Sequence, residues 1–88
     1  MKKTPKSYWN HRVLAHKYKN EVILEIHEVF YTDGIPDSYT EQAIGLSGDS
    51  IKELNQTLTW MRKCLKKPIL HYGKRFPEVY KPKSISLH

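Results

Sequence analysis

One stretch of the chain, Glu21–Thr32, constrains the fold more than any other. It is rich in β-branched and aromatic residues and contains neither proline nor glycine, which is typical of a central β-strand. Successive side chains of a strand point to opposite faces of the sheet. The apolar row on one face would be Val22, Leu24, Ile26 and Phe30. We expect this row to form the core face, and the other elements to be arranged around it.

The preceding residues predict a partner strand and its register. We predict a strand over Tyr8–Tyr18 and a two-residue hairpin loop at Lys19-Asn20, since asparagine tolerates positive φ. This loop places Val13 opposite Ile26 and Trp9 opposite Phe30 on the core face, whereas a three-residue loop would turn Arg12 into the core. Because a slip of one residue exchanges the two faces of a strand, the apolar match selects the two-residue loop.

A turn and a third strand follow. Thr32–Asp37 contains an Asp-Gly pair and Pro36, which cannot sit in a central strand. Tyr39–Leu46 reads as the third strand, so the three strands would form an antiparallel meander with one face that needs cover.

A helix should provide that cover. Ser50–Glu53 matches a capping box. The helix should run over Ile51–Leu65 and end before Pro68. Its apolar stripe is Ile51, Leu54, Leu58, Met61 and Leu65. Leu58 lies at the centre of the stripe, so Leu58→Asp is expected to unfold the domain.

The predicted fold class is therefore α+β, of order β-β-β-α, with the meander covered on one face by a single amphipathic helix. Ile69-Leu70 would form either a short fourth strand or a clasp. We expect one domain over residues 8–72, and basic, loosely ordered termini over residues 1–7 and 73–88.

The net charge of +6 is strongly segregated along the chain. Residues 1–20 carry six lysines or arginines and no acid, whereas residues 21–50 carry seven acids and neither lysine nor arginine. Residues 51–88 carry nine bases and two acids. If the first two segments pair as strands, their charges balance locally. The unbalanced charge then belongs to the helix end and tail, which favours an acidic protein or nucleic acid as partner.

Several classes of protein and site are not indicated. The single Cys64 excludes an internal disulfide and fits a reducing compartment. No apolar run has the length of a signal peptide or a membrane span, so we expect a cytoplasmic protein with no membrane partner. The five histidines show no recognised zinc spacing, and the glycines form no phosphate-binding loop. No metal or other cofactor is predicted.

The predicted contact surface combines an aromatic residue with basic ones. Trp60 lies off the apolar stripe of the helix, so its ring would be exposed beside the basic helix end and tail. The contact residues would be Trp60, Arg62, Lys63, Lys66, Lys67, Lys74 and Arg75.

The outer face of the hairpin is a second candidate surface. Tyr8, Arg12 and Tyr31 would share this face, an arrangement typical of stacking platforms for single-stranded nucleic acid. The alternatives are a solvated sheet face or a homodimer interface.

His11 and Glu28 are the only candidates for catalysis. The chosen register places them opposite each other, where they could act as a general base and its orienting partner. They could equally be a cross-strand pair that fixes the register. No nucleophile is tied to them, and Cys64 would be an inert, half-buried thiol off the helix stripe. No catalytic residue is therefore assigned.

Five segments carry a resemblance to known proteins: Trp9–Val13, Ile26–Tyr31, Ser38–Glu41, Gly48–Leu54 and Lys67–Leu70. Through them the chain resembles a group of small bacterial proteins of unknown function, a likeness that implies no activity. It is similar more loosely to the HicB antitoxin core, which has a β-β-β-α order and a Gly-x-Ser/Thr-x-x-Glu element at the start of its helix. That likeness implies a homodimerising, antitoxin-like regulator.

Three hypotheses for the function follow. The first is a small non-catalytic binding module with a basic, aromatic surface for nucleic acid or an acidic protein. The second is a small acid–base enzyme that uses His11 and Glu28. The third is the homodimerising regulator that the HicB likeness implies.

Overall fold

The computed structural model describes residues 6–82, which form a four-stranded sheet and one helix. The elements in chain order are β1 (Ser7–Lys17), β2 (Val22–Thr32), β3 (Ile35–Tyr39), α1 (Ile51–Cys64) and β4 (Leu70–His71). The strand order is β3-β2-β1-β4, with the first three antiparallel and β4 parallel to β1. The α+β class, the meander and the short fourth strand are confirmed.

The register of the central hairpin is also as predicted. Val13 lies opposite Ile26, and Lys17 opposite Val22. The amide of Tyr18 donates a hydrogen bond of 2.8 Å to the carbonyl of Glu21, which closes the loop around two residues.

The third strand begins earlier than predicted. Asp33 and Gly34 have φ values of 52° and 81°, so the chain reverses within two residues and β3 starts at Ile35. Positive φ at both central positions is the geometry of a type I′ hairpin turn. Pro36 is tolerated because β3 is an edge strand. The predicted strand over Tyr39–Leu46 is therefore wrong.

The main core lies on the face of the sheet opposite to the one predicted. Its buried residues are Leu14, Val29, Tyr31 and Leu70, with Tyr39, Tyr72 and Phe76 packed against them. On the predicted face, Leu24 is 50% exposed, and Val22 and Phe30 are each 38% exposed. The buried residues on that face of the hairpin, His11, Val13 and Ala15, all belong to β1.

The helix covers less of the sheet than its predicted stripe required. Ser50 caps it as expected, since its Oγ accepts a hydrogen bond of 3.1 Å from the amide of Glu53. However, α1 packs mainly on β1, through Met61 and Cys64. Leu58 is 45% exposed, so Leu58→Asp would place its charge at a half-exposed position instead of in the core.

The chain after β4 folds back onto the sheet, which differs from the expected loose tail. The amide of Tyr80 donates to the carbonyl of Ile69, and the amide of His71 donates to the carbonyl of Glu78. Phe76 packs against the core from this segment. The prediction of loosely ordered termini, where it concerns residues 1–5 and 83–88, lies outside the described residues. Within residues 6–82, no helix is both long and apolar enough to cross a membrane.

The position of the core predicts different costs for two matched truncations. Leu14 is fully buried, so Leu14→Ala should lower the free energy of unfolding by about 2–5 kcal/mol. Leu24→Ala removes the same atoms from a half-exposed position in the neighbouring strand and should cost less than about 1 kcal/mol. Urea unfolding of the two variants and the parent chain measures both values. Equal losses, or a larger loss for Leu24→Ala, would contradict this placement of the core.

Candidate functional site

A groove between β1 and α1, here called the tryptophan groove, is the first candidate site. Its volume is about 420 Å³. Its lining residues are Trp9, Asn10, His11, Trp60, Lys63, Cys64 and Lys67. Trp9 is 46% exposed and Trp60 48% exposed, so both indoles present ring surface to solvent.

Local structure explains why these side chains meet. Trp9 and His11 are two residues apart in β1 and therefore lie on the same face of the sheet. Their rings contact edge to face, with centroids 5.3 Å apart. Trp60 and Cys64 are four residues apart in α1 and therefore lie on one side of the helix axis, and Lys67 follows three residues after the helix ends. Both walls of the groove are thus built on regular elements.

The groove carries positive charge. Lys63 and Lys67 are exposed, and neither forms an ion pair with any residue from 6 to 82. The end of α1 favours positive charge at Lys63 through the helix dipole. Asn10 lies between Trp9 and His11 in β1, so its side chain points to the other face of the strand, where its Oδ1 is buried. The groove therefore offers aromatic surface and cations.

His11 lies in the tryptophan groove but lacks the partners of a catalytic base. Burial lowers the pKa of His11, and the charge of Glu28 opposes this shift only in part. Among the described residues, no side-chain hydrogen bond joins His11 to Glu28. An imidazole that is neutral near pH 7 but not oriented by a second group is poorly placed for general-base catalysis.

Cys64 shares the groove, which its angle on the helix did not suggest. The thiol is almost fully buried rather than half-buried. Burial raises the pKa of Cys64, against smaller opposing effects of Arg12 and Lys67. Because the thiolate is the nucleophile, a raised pKa keeps the thiol unreactive at neutral pH.

The other predicted contact residues are dispersed. Arg62 and Lys66 are exposed near the end of α1. Lys74 and Arg75 line a different groove, and Arg75 pairs with Glu78 at 3.2 Å. Of the predicted basic contact residues, Lys63 and Lys67 line the tryptophan groove and the others do not.

The predicted platform on the outer face of the hairpin is largely buried. The guanidinium of Arg12 donates to the hydroxyl of Tyr31 at 2.8 Å and to the carbonyl of Pro68 at 2.7 Å. Tyr31 belongs to the core, and Tyr8, which is half-exposed, stacks on it with ring centroids 4.7 Å apart. Arg12 and Tyr31 are therefore structural, and only Tyr8 remains accessible.

A second group of polar side chains, here called the histidine cluster, consists of His16, Glu25 and His27. Nε2 of His16 lies 2.8 Å from Nε2 of His27 and 3.3 Å from a carboxylate oxygen of Glu25. The ring of Tyr72 stacks on that of His16, with centroids 4.0 Å apart. His27 is completely buried, and burial lowers its pKa more than the hydrogen bond to Thr40 raises it.

Sequence reasoning missed the histidine cluster because its members are on two strands and show no local spacing. The signal was present in the hairpin register, which places all three residues on the same face of the sheet. No ligand set was assigned to that face because it was interpreted as a solvated surface or a stacking platform.

Comparison with known proteins adds no assignment. No family model, curated protein or solved structure matches this chain. The resemblances to small bacterial proteins and to the HicB antitoxin core stay predictions.

Proposed function

We propose that this protein is a small non-catalytic binding module that takes single-stranded nucleic acid in the tryptophan groove. The main supporting observation is that two half-exposed tryptophans and two lysines line the same groove. Two properties of the groove support this ligand class.

The first property is exposed aromatic surface on rigid elements. Nucleic-acid bases stack on aromatic side chains, and each such contact contributes about 1–3 kcal/mol. Trp9 and Trp60 lie on a strand and a helix, so little ordering of the protein is needed when a base binds. The volume of about 420 Å³ is within the range of small-ligand pockets.

The second property is charge of the correct sign at the same place. Lys63 is in the last turn of α1 and Lys67 lies three residues after its end, and both are exposed at the groove, so both ammonium groups can reach the phosphates of a bound strand. Displacement of counterions from those phosphates would supply part of the affinity.

The aromatic surface also separates two classes of ligand. The carboxylates of an acidic peptide would satisfy the lysines but present no planar ring to the indoles, so nucleic acid is the better match.

The enzyme hypothesis has less support. His11 has no orienting hydrogen bond from Glu28, and the thiol of Cys64 stays protonated because its pKa is raised. The groove therefore lacks both an oriented base and an activated nucleophile.

Titration with short single-stranded oligonucleotides tests the proposal through tryptophan fluorescence. At low salt we expect a dissociation constant below about 100 μM, which is the weak end of non-specific nucleic-acid binding. Trp60→Ala should weaken binding by about 5- to 100-fold, the loss of one stacking contact. Lys67→Ala should weaken it and also make the dependence of log affinity on log salt less steep.

Lys52→Ala is the matched control, since Lys52 is exposed at the opposite end of α1. It should leave the affinity almost unchanged. If no oligonucleotide binds in this range, or if Trp60→Ala and Lys52→Ala behave alike, the proposal fails. Binding of an acidic peptide with equal affinity would favour a protein partner instead.

Self-association is a second candidate function, favoured by the apolar row of β2 on the same face of the hairpin as Trp9. The helix leaves the predicted apolar row of β2 uncovered, so Val22, Leu24 and Phe30 lie half-exposed on one face. A second copy could cover this row around a two-fold axis.

Sedimentation velocity tests self-association directly. We expect a dimer for the parent chain and a folded monomer for Leu24→Glu, because a charge at a half-exposed position disrupts an apolar interface more than it disrupts the monomer. A monomeric parent chain at every concentration would exclude this role.

A further inference from the structure

The histidine cluster contains residue types that bind metals, and their potential ligand atoms lie close together. The potential ligand atoms of His16, Glu25 and His27 all lie within 4.8 Å of one another. Imidazole nitrogens and a carboxylate oxygen form the ligand set of many three-residue zinc sites, in which a fourth position stays open. The cluster is on the opposite face of the hairpin from Trp9 and His11 in the tryptophan groove.

We propose that the histidine cluster binds one divalent transition-metal ion of the Zn²⁺ class through Nε2 of His16, Nε2 of His27 and the carboxylate of Glu25. This inference does not depend on the proposed binding of nucleic acid.

All three ligand atoms lie within 4.8 Å of one another, so the widest pair would close by up to about 1.5 Å to reach tetrahedral spacing. Tetrahedral coordination with bonds of about 2.0–2.2 Å puts ligand atoms roughly 3.3–3.6 Å apart. The separation of His16 Nε2 from Glu25 is 3.3 Å, which already matches. The separation of the two Nε2 atoms is 2.8 Å and would open by roughly half an ångström.

A hydrogen bond at Nδ1 of His27 orients the ring so that its Nε2 can bind a metal. Nδ1 of His27 lies 2.8 Å from the carbonyl oxygen of Thr40. A carbonyl can only accept a hydrogen bond, so Nδ1 carries the hydrogen and Nε2 of the neutral ring holds a lone pair. Ligating histidines in metal sites are oriented in this way by a second hydrogen bond to a carbonyl or carboxylate.

The tautomer of His16 follows from the same geometry. Because Nε2 of His27 must accept, Nε2 of His16 donates the 2.8 Å hydrogen bond. When a metal binds, Nε2 of His16 gives up its hydrogen and supplies a lone pair, and the ring keeps a hydrogen at Nδ1. Metal binding thus replaces one shared hydrogen with an ion held by both rings.

Neighbouring residues hold the two imidazoles in place, and an ion can reach the cluster from solvent. The stacked ring of Tyr72 and the burial of His27 hold the two imidazoles in place. The side chain of Glu25 is 39% exposed. A groove of about 750 Å³, lined by His16, Glu25, Glu41 and Tyr72 among others, leads to the cluster from solvent. This groove gives an ion a path of entry and leaves room for water at the open position.

Isothermal titration of the tag-free chain with ZnCl₂, without nucleic acid, tests the proposal. We expect one equivalent of Zn²⁺ per chain. Glu25→Gln and His16→Gln should each weaken the affinity by about tenfold or more, since even the loss of a supporting hydrogen bond in a metal site costs about 10–100-fold. Glu25 is partly exposed, so Glu25→Gln should keep the fold and separate ligand loss from unfolding.

Two matched controls locate the ion. Glu21→Gln changes an exposed acid of the same hairpin, and His11→Gln changes a buried histidine outside the cluster. Both should bind Zn²⁺ as the parent chain does. Nitrogen NMR of the imidazoles should show Nε2 of His16 change from protonated to metal-bound.

No binding at equimolar Zn²⁺, or equal affinity in Glu25→Gln, His16→Gln and the controls, would overturn the proposal. In the first case the cluster is a hydrogen-bonded pair alone, and in the second the ion lies elsewhere on the chain. Neither result bears on the titration with oligonucleotides, so the two proposals can fail separately.

Discussion

The antiparallel pairing of β1 with β2 is the interaction on which the rest of the structure depends. It is the longest continuous pairing in the sheet, and its register decides which side chains share a face. Trp9 and His11 lie on the side where α1 packs, while His16, Glu25 and His27 lie together on the other. A slip of one residue would dismantle the tryptophan groove and the histidine cluster at once.

The sequence pattern predicts how β1 pairs with β2, but it does not predict which face of the sheet forms the core. The two-residue loop and the apolar match decided the register, and Ser50 marked the start of the helix. However, β2 is apolar on both faces, so its period of two could not rank them. The decision comes from Tyr72 and Phe76, which pack from the segment after β4 and lie about forty residues further along the chain. No local pattern in β2 contains that information.

In the candidate site, the exposure of a side chain could be predicted only where it depends on a single helix or strand. Trp60 is exposed because it lies off the buried side of a single helix, and periodicity predicted that. Trp9 was assigned to the core, yet the short helix leaves half of it in solvent. Arg12 was assigned to the surface, yet its long side chain reaches the carbonyl of Pro68 and the hydroxyl of Tyr31. Such contacts between distant segments are invisible to spacing rules.

The central claim is that the segment from residue 72 to 80 completes the core, and thermal unfolding of two shortened chains tests it most directly. A chain that ends at residue 82 keeps Phe76 and the hydrogen bond from Tyr80 to Ile69, so it should unfold cooperatively and serves as the reference. A chain that ends at residue 72 loses both and should show a much lower Tm than this reference, or no cooperative transition. If the two chains unfold cooperatively at the same Tm, the core does not depend on this segment and the account is wrong.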